Sequence, residues 1–425
     1  MSVLLHLMQQ SQEPQESLTG TGRGYFGGGT ATVAESEIDG INFSTEAAIN
    51  PAAALSVARL HLAGVNSSTK GYFGGGYSTA NSSEIDGIDF STEAAINPAA
   101  VLSVARYGPA GVNSSTRGYF GGGITTVNSS EIDGIDFSTE AAINPAATLS
   151  VARQLIAGVN SSTRGYFGGG TATVAESEID GINFSTEAAI NPAAALSVAR
   201  YGLAGVQSYN DERVGGRGYF GGGSTPTNLS EIDGIDFSTE AAINPAAALS
   251  VARSELASVN SSTKGYFGGG TTGAVSSEID GIDFSTEAAI NPTAALTVSR
   301  RFPAGVNSAA KGYFGGGTAV DNVNEIDGIN FSTEAAINPA AVLSVARRDL
   351  AGVNSSTKGY FGGGFTTVNV NEIDGIDFST EAAINPAAVL SVARNGLAGV
   401  NSSTKGYFGG GVVTSEIDGI DFSTE

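Results

Sequence analysis

The octapeptide Asp-Gly-Ile-Asp-Phe-Ser-Thr-Glu, at Asp86–Glu93, sets three carboxylates within eight residues. Acids so close suggest calcium, which takes oxygen ligands, and paired carboxylates suggest glycoside hydrolysis. The order is not that of an EF-hand loop, and alternate residues of a strand face opposite sides. The same run recurs along the chain, whereas an active site needs one singular constellation. Structural polar contacts are therefore its expected role, with no metal and no cofactor. The Arg that recurs at Arg59 and Arg106 is expected to pair with a repeated acid such as Glu37 or Glu84, or with carbonyls. His61 has no second His at ligand spacing and reads as a surface residue.

The hexapeptide Gly-Tyr-Phe-Gly-Gly-Gly is a second candidate, as a phosphate loop. No Lys-Ser/Thr and no helix follow it. Its glycines are expected to supply positive φ and close backbone approach where a strand leaves the crowded part of a sheet. Asn66-Ser67-Ser68 is formally a glycosylation sequon, repeated because its turn is repeated.

What positions these residues is a tandem repeat. The hexapeptide begins at Gly24, Gly71, Gly118, Gly165, Gly218, Gly265, Gly312, Gly359 and Gly406. The spacing is 47 residues except for one gap of 53, caused by an insertion around Gln207 to Gly216. Gly24–Arg59 and Gly165–Arg200 are identical, a sign of recent duplication. Each unit divides into four short strands, exemplified by Leu62–Val65 (a), Gly71–Phe73 (b), Ile85–Phe90 (c) and Ala94–Ile96 (d). Asn66-Ser67-Ser68-Thr69, the glycines and Ser91-Thr92 separate them. The Pro of Ala-Ala-Ile-Asn-Pro favours strand plus loop over helix in the alanine-rich stretch. Four strands per period of this length mark a propeller blade.

Composition narrows the function classes. The chain has 60 Gly, no Cys, no Trp and two His among 425 residues. Without Cys there is no disulfide framework and no thiolate metal site. A net charge of −22 argues against nucleic acid or an anionic membrane as partner. Val3–Met8 is apolar but lacks a basic leader region and is too short for a signal peptide. No apolar run reaches the ~18 residues of a membrane-spanning helix. The compartment stays open.

Leu55-Ser56-Val57-Ala58-Arg59, an apolar strand, Gly71-Tyr72-Phe73-Gly74-Gly75 and Ile85-Asp86-Gly87-Ile88-Asp89-Phe90 together resemble the kelch repeat. The resemblance runs through residues 24–425, and the glycine-rich form is similar to propellers of bacterial and phage sequences. It implies a β-propeller, a fold in which many kelch members bind partner proteins. The family's strand-d Trp is missing, and Ile49 and Ile96 are expected to fill its space. The resemblance to copper-using propeller oxidases fails for want of Cys and His.

The expected architecture is all-β: one domain, residues 1–425, with nine four-stranded antiparallel blades in residues 24–425 and a divergent closing segment, 1–23. The chain is close to an integral number of units. Val3–Met8 falls in the register of strand d and is expected to complete the blade of Gly406–Glu425, closing the ring. Residues Gln12–Gly22 would then supply the first strand a. A fragment of a larger array is the rival reading.

The copies differ in two places. One is the b–c loop, such as Tyr77–Ser83 and Phe365–Asn371. The other is the pair after the Arg: Leu60-His61, Tyr107-Gly108, Gln154-Leu155, Tyr201-Gly202, Ser254-Glu255, Arg301-Phe302, Arg348-Asp349 and Asn395-Gly396. In an up-down meander both emerge on one face. Of 20 Phe and 13 Tyr, only Phe302, Phe365, Tyr77, Tyr107, Tyr201 and Tyr209 are not framework, and all but Tyr209, which is in the insertion, lie on that face. Rigid aromatics among small polar residues resemble a binding surface. The expected function is a monomeric, non-enzymatic scaffold that binds a protein or glycan. Its candidate residues are His61, Tyr77, Tyr107, Tyr201, Tyr209, Arg301, Phe302, Arg348, Asp349 and Phe365. The alternatives are a glycan-active enzyme with a site in the central channel, and a structural spacer.

Overall fold

A computed structural model describes residues 55–397, apart from residues 58, 60, 90–91, 93, 193, 208–215, 387–388, 391, 394 and 396–397. It also describes the backbone of strands Arg23–Thr30, Ala34–Asn42 and Ala48–Ile49 at one end and Ala398–Asn401, Lys405–Gly409 and Ile417–Asp421 at the other. The chain is all-β, with repeated antiparallel sheets in a propeller-like arrangement. Seven sheets have four strands each, in simple meander order. One comprises Ala63–Asn66 (a), Lys70–Gly74 (b), Ile85–Asp89 (c) and Ala95–Ile96 (d). Among the described residues the first unit gives b, c and d, and the ninth gives a, b and c. The expected closing strand Val3–Met8 and the segment Gln12–Gly22 lie outside the described residues, as does Tyr209.

The a strands neighbour one another in chain order from Ala63–Asn66 to Ala398–Asn401, and the latter in turn neighbours Ala63–Asn66. Strand Arg23–Thr30 neighbours both Ala398–Asn401 and Lys405–Gly409, and Ala34–Asn42 neighbours Ile417–Asp421.

Strand b shows why the unit needs a neighbour. Tyr119 and Phe120 are adjacent and therefore point to opposite faces, yet both are completely buried. Tyr119 stacks on Phe184 of the following sheet at 5.4 Å between ring centroids. Phe120 joins the core of the preceding sheet, with Val65, Tyr72, Ile85 and Leu102. Each hydrophobic cluster thus takes one face from each of two successive sheets, and burial of that area is the main stabilising term. Ile96 is buried in this core. The alanine-rich stretch is strand and loop, not helix.

The Leu-Ser-Val-Ala-Arg segment staples sheet to sheet. The Arg106 N–H donates to Ser82 O at 3.0 Å and Gly76 N–H donates to Arg106 O at 2.8 Å, both within its own sheet. Its side chain enters the next sheet and meets Asp133 at 2.6 Å, with further bonds to the Phe120 and Val104 carbonyls. The partner acid differs from the expected Glu84. Arg59 pairs with Asp86, and Glu84 offers only its carbonyl. Asp86 is buried in the strand, so its short side chain meets the guanidinium without leaving the sheet.

Candidate functional site

The three acids of the repeated octapeptide divide among three structural tasks. The first, Asp133, holds Arg106. The second, Asp136, closes the c–d turn, accepting the Ser138 hydroxyl at 2.6 Å and the N–H groups of Ser138 and Thr139 at 2.9 Å. The third, Glu140, reaches across to Lys70 of the preceding sheet at 2.6 Å. The same cross-sheet pair recurs at Arg117–Glu187, Lys264–Glu334 and Lys311–Glu381. Glu140 does so from the left-handed region, with φ 60°, and its N–H bonds Asp136 O. Among the described residues no group of three or more His, Asp or Glu is placed to hold a metal ion.

Burial pushes the Asp136 carboxyl up, but the turn's hydrogen bonds outweigh it and hold the group at about 2. Asp236, Asp283 and Asp377 are lowered in the same way. A carboxyl lowered on folding stabilises above its unfolded value of about 3.9, and that stabilisation is lost as pH falls through the folded value. Asn183 and Asn330 make the same turn without titrating. Replacing Asp136, Asp236, Asp283 and Asp377 by Asn is therefore expected to flatten the decline of melting temperature between about pH 4 and pH 2. Parallel melting curves for variant and parent across that range would refute the assignment.

On the opposite face the structure joins the two variable segments. Tyr107 N–H donates to Ile124 O at 3.0 Å and Ile124 N–H donates to Tyr107 O at 2.8 Å. Equivalent bridges link Gln154 with Thr171, Tyr201 with Ser224, Arg301 with Thr318 and Arg348 with Phe365. Each b–c loop closes on itself, as at Tyr77 and Asn81, and Asn81 Nδ2 bonds Thr125 O of the next loop at 2.8 Å. Backbone amides therefore fix this face, leaving the side chains free to differ.

The second residue of each variable pair is held in the left-handed region. Its φ is 55° at His61, 54° at Leu155, 59° at Glu255, 54° at Phe302 and 55° at Asp349. Glycine stands there at Gly108 and Gly202, where an added Cβ would meet nothing within 4 Å. Non-glycine residues in this region each cost about 1–2 kcal/mol. The backbone favours glycine, and at Gly108 and Gly202 the surroundings leave room for a side chain, so the position tolerates substitution at a conformational cost.

Two sectors collect the predicted residues. In one, the Tyr107 ring lies 5.7 Å from Tyr77 and 6.0 Å from His61, joining adjacent sheets. Desolvation in this cluster lowers the His61 pKa. In the other, Arg301 sits 5.2 Å over Phe302 and pairs with Glu255 at 3.1 Å, while Arg348 sits 5.2 Å over Phe365 and 3.6 Å from Asp349. Tyr201 stands apart from both. The exposed aliphatic residues Val127, Leu155, Val174, Val320 and Val368 belong to the same loops and were hidden from a count of aromatics.

Fold and site define an all-β chain of repeated, propeller-like sheets whose connections display variable side chains on one face. No family model and no curated protein matches the sequence. Among solved structures the chain is similar to one titled "Structure of YjhT", with TM-score 0.46 and 12% identity over 68% of this chain and 96% of that one, a likeness too slight to bear on function. Among the described residues no helix is long and apolar enough to cross a membrane.

Proposed function

We propose that this chain is a non-enzymatic binding scaffold: a closed, kelch-like ring of eight positions that presents its b–c and d–a connections to a protein or glycan. The observation that carries the binding reading is the display position, a fixed left-handed backbone with an open, variable side chain. Rigid scaffolds bearing variable aromatics suit recognition, because ordering costs on binding are small. The structural employment of all three repeated acids supports a non-catalytic role. Eight positions are supported by the circuit of a strands, from Ala63–Asn66 through Ala398–Asn401 and back.

A variant with Tyr107→Ala, Tyr201→Ala and Phe302→Ala is expected to bind its partner at least tenfold more weakly than the parent, a typical loss for exposed anchors. Protein and glycan arrays probed with both, followed by titration of any hit, measure this. Equal affinity of parent and variant would remove this face from the function.

A further inference from the structure

We propose that two hairpins of this chain, residues 23–42 and 405–421, compete for one position in the ring, so that the protein alternates between two closed forms presenting different loops. The proposal rests on the eight-position reading above. Nine Gly-Tyr-Phe hairpins then share eight positions.

The backbone identifies the rivals. Strand Ala398–Asn401 is paired with Lys405–Gly409, and Arg23–Thr30 is its neighbour too. Strand Ala48–Ile49 is paired with Ala34–Asn42, and Ile417–Asp421 is its neighbour too. In every complete sheet one a strand serves one b strand, and one d strand serves one c strand. A strand edge offers one row of donors and acceptors, so it forms a single ladder. The shared sheet therefore takes its a strand from Ala398–Asn401 and its d strand from Ala48–Ile49, and one hairpin fills the middle.

The two rivals are closely matched. Tyr25 faces Gly40 and Gly24 faces Ile41 in one, Tyr407 faces Gly419 and Gly406 faces Ile420 in the other. Within the paired core only Arg23 against Lys405 and Asn42 against Asp421 distinguish them. Each is tethered by a short link to one strand of the shared sheet, one to a and the other to d, so both act at high effective concentration. A displaced two-stranded hairpin is marginal in water, which keeps one of them docked.

Exchange changes what the face presents. The first hairpin brings Thr30–Ser36, and the second brings Val412–Ser415, a loop three residues shorter. The shared position lies between the sheet carrying Arg348 and Phe365 and the sheet carrying His61 and Tyr77, so it is flanked by both aromatic sectors. A partner that contacts one loop shifts the balance by its differential affinity for the two forms.

Hydrogen exchange followed by mass spectrometry on the full chain tests this, because the peptide around Val412-Val413-Thr414 is unique in the sequence. That peptide is expected to show two populations, protected and unprotected, within about tenfold of each other, a difference of less than 1.4 kcal/mol. Gly40→Val blocks the first hairpin: at the equivalent Gly87 an added Cβ would lie 2.6 Å from Gly71 O. It is expected to make the peptide wholly protected. Gly419→Val is expected to leave the peptide wholly unprotected with little change in melting temperature, and the double variant to melt well below either. A peptide unprotected in both the parent and Gly40→Val overturns the competition alone. One fully protected in the parent, with each valine variant separately lowering the melting temperature, overturns the competition and the eight-position ring together.

Discussion

Asp233→Ala is expected to lower the unfolding free energy by about 3–5 kcal/mol, the usual cost of leaving a buried charge without its partner. Arg200 is completely buried and meets Asp233 at 2.6 Å. Its other bonds, to the Phe220 and Val198 carbonyls at 3.0 and 3.2 Å, do not neutralise it. Ser197 donates to the same carboxylate at 3.0 Å and would lose its acceptor. The backbone of Arg200 belongs to one sheet and its guanidinium to the next, so the damage should fall on the contact between them. Urea denaturation gives the magnitude, and faster amide exchange across residues 217–236 gives the location. A double variant, Arg200→Met with Asp233→Leu, is expected to recover most of the loss, because two apolar side chains of similar bulk need no pairing. A loss under about 1 kcal/mol in the single variant would mean that the guanidinium keeps its solvation some other way.

The ion pair also marks what a repeat reveals and what it hides. The 47-residue period makes the four strands legible, because the apolar runs are bounded by similar turn residues in most of the units. It does not reveal which acid meets Arg59. Glu84 and Asp86 recur with equal regularity, and only the depth at which the guanidinium enters the next sheet separates them. The cross-sheet pair of Lys70 with Glu140 left a readable trace, since Lys and Arg alternate freely before the hexapeptide, as a charge requirement allows. The display position left one too. Glycine at Gly108, Gly202 and Gly396 alternates with His, Leu, Glu, Phe and Asp, a set that shares nothing except tolerance of a left-handed backbone. The number of ring positions is different in kind. It depends on the angle at which successive sheets pack, which counting units does not measure.

That contrast between glycines carries the second large effect. Gly134→Val is expected to cost more than about 3 kcal/mol and to yield a poorly folded protein, beyond the usual range for overpacking because backbone must move. A Cβ there would lie 2.6 Å from Gly118 O and 2.6 Å from the Tyr119 ring. Gly118 O belongs to the adjoining strand of the same ladder, and Tyr119 is pinned by its stack on Phe184. Neither can retreat without opening a sheet or a core. Gly108→Leu, by contrast, is expected to cost only about 1–2 kcal/mol, the intrinsic penalty of its φ of 64°, because no atom stands within 4 Å of the new Cβ. The chain already tolerates Leu155 at the equivalent place. Melting temperatures of the two variants, compared with the parent, check both figures at once. If Gly108→Leu proved as damaging as Gly134→Val, the display position would be a structural one, and the variable face would lose its claim to be a site free to change its partners.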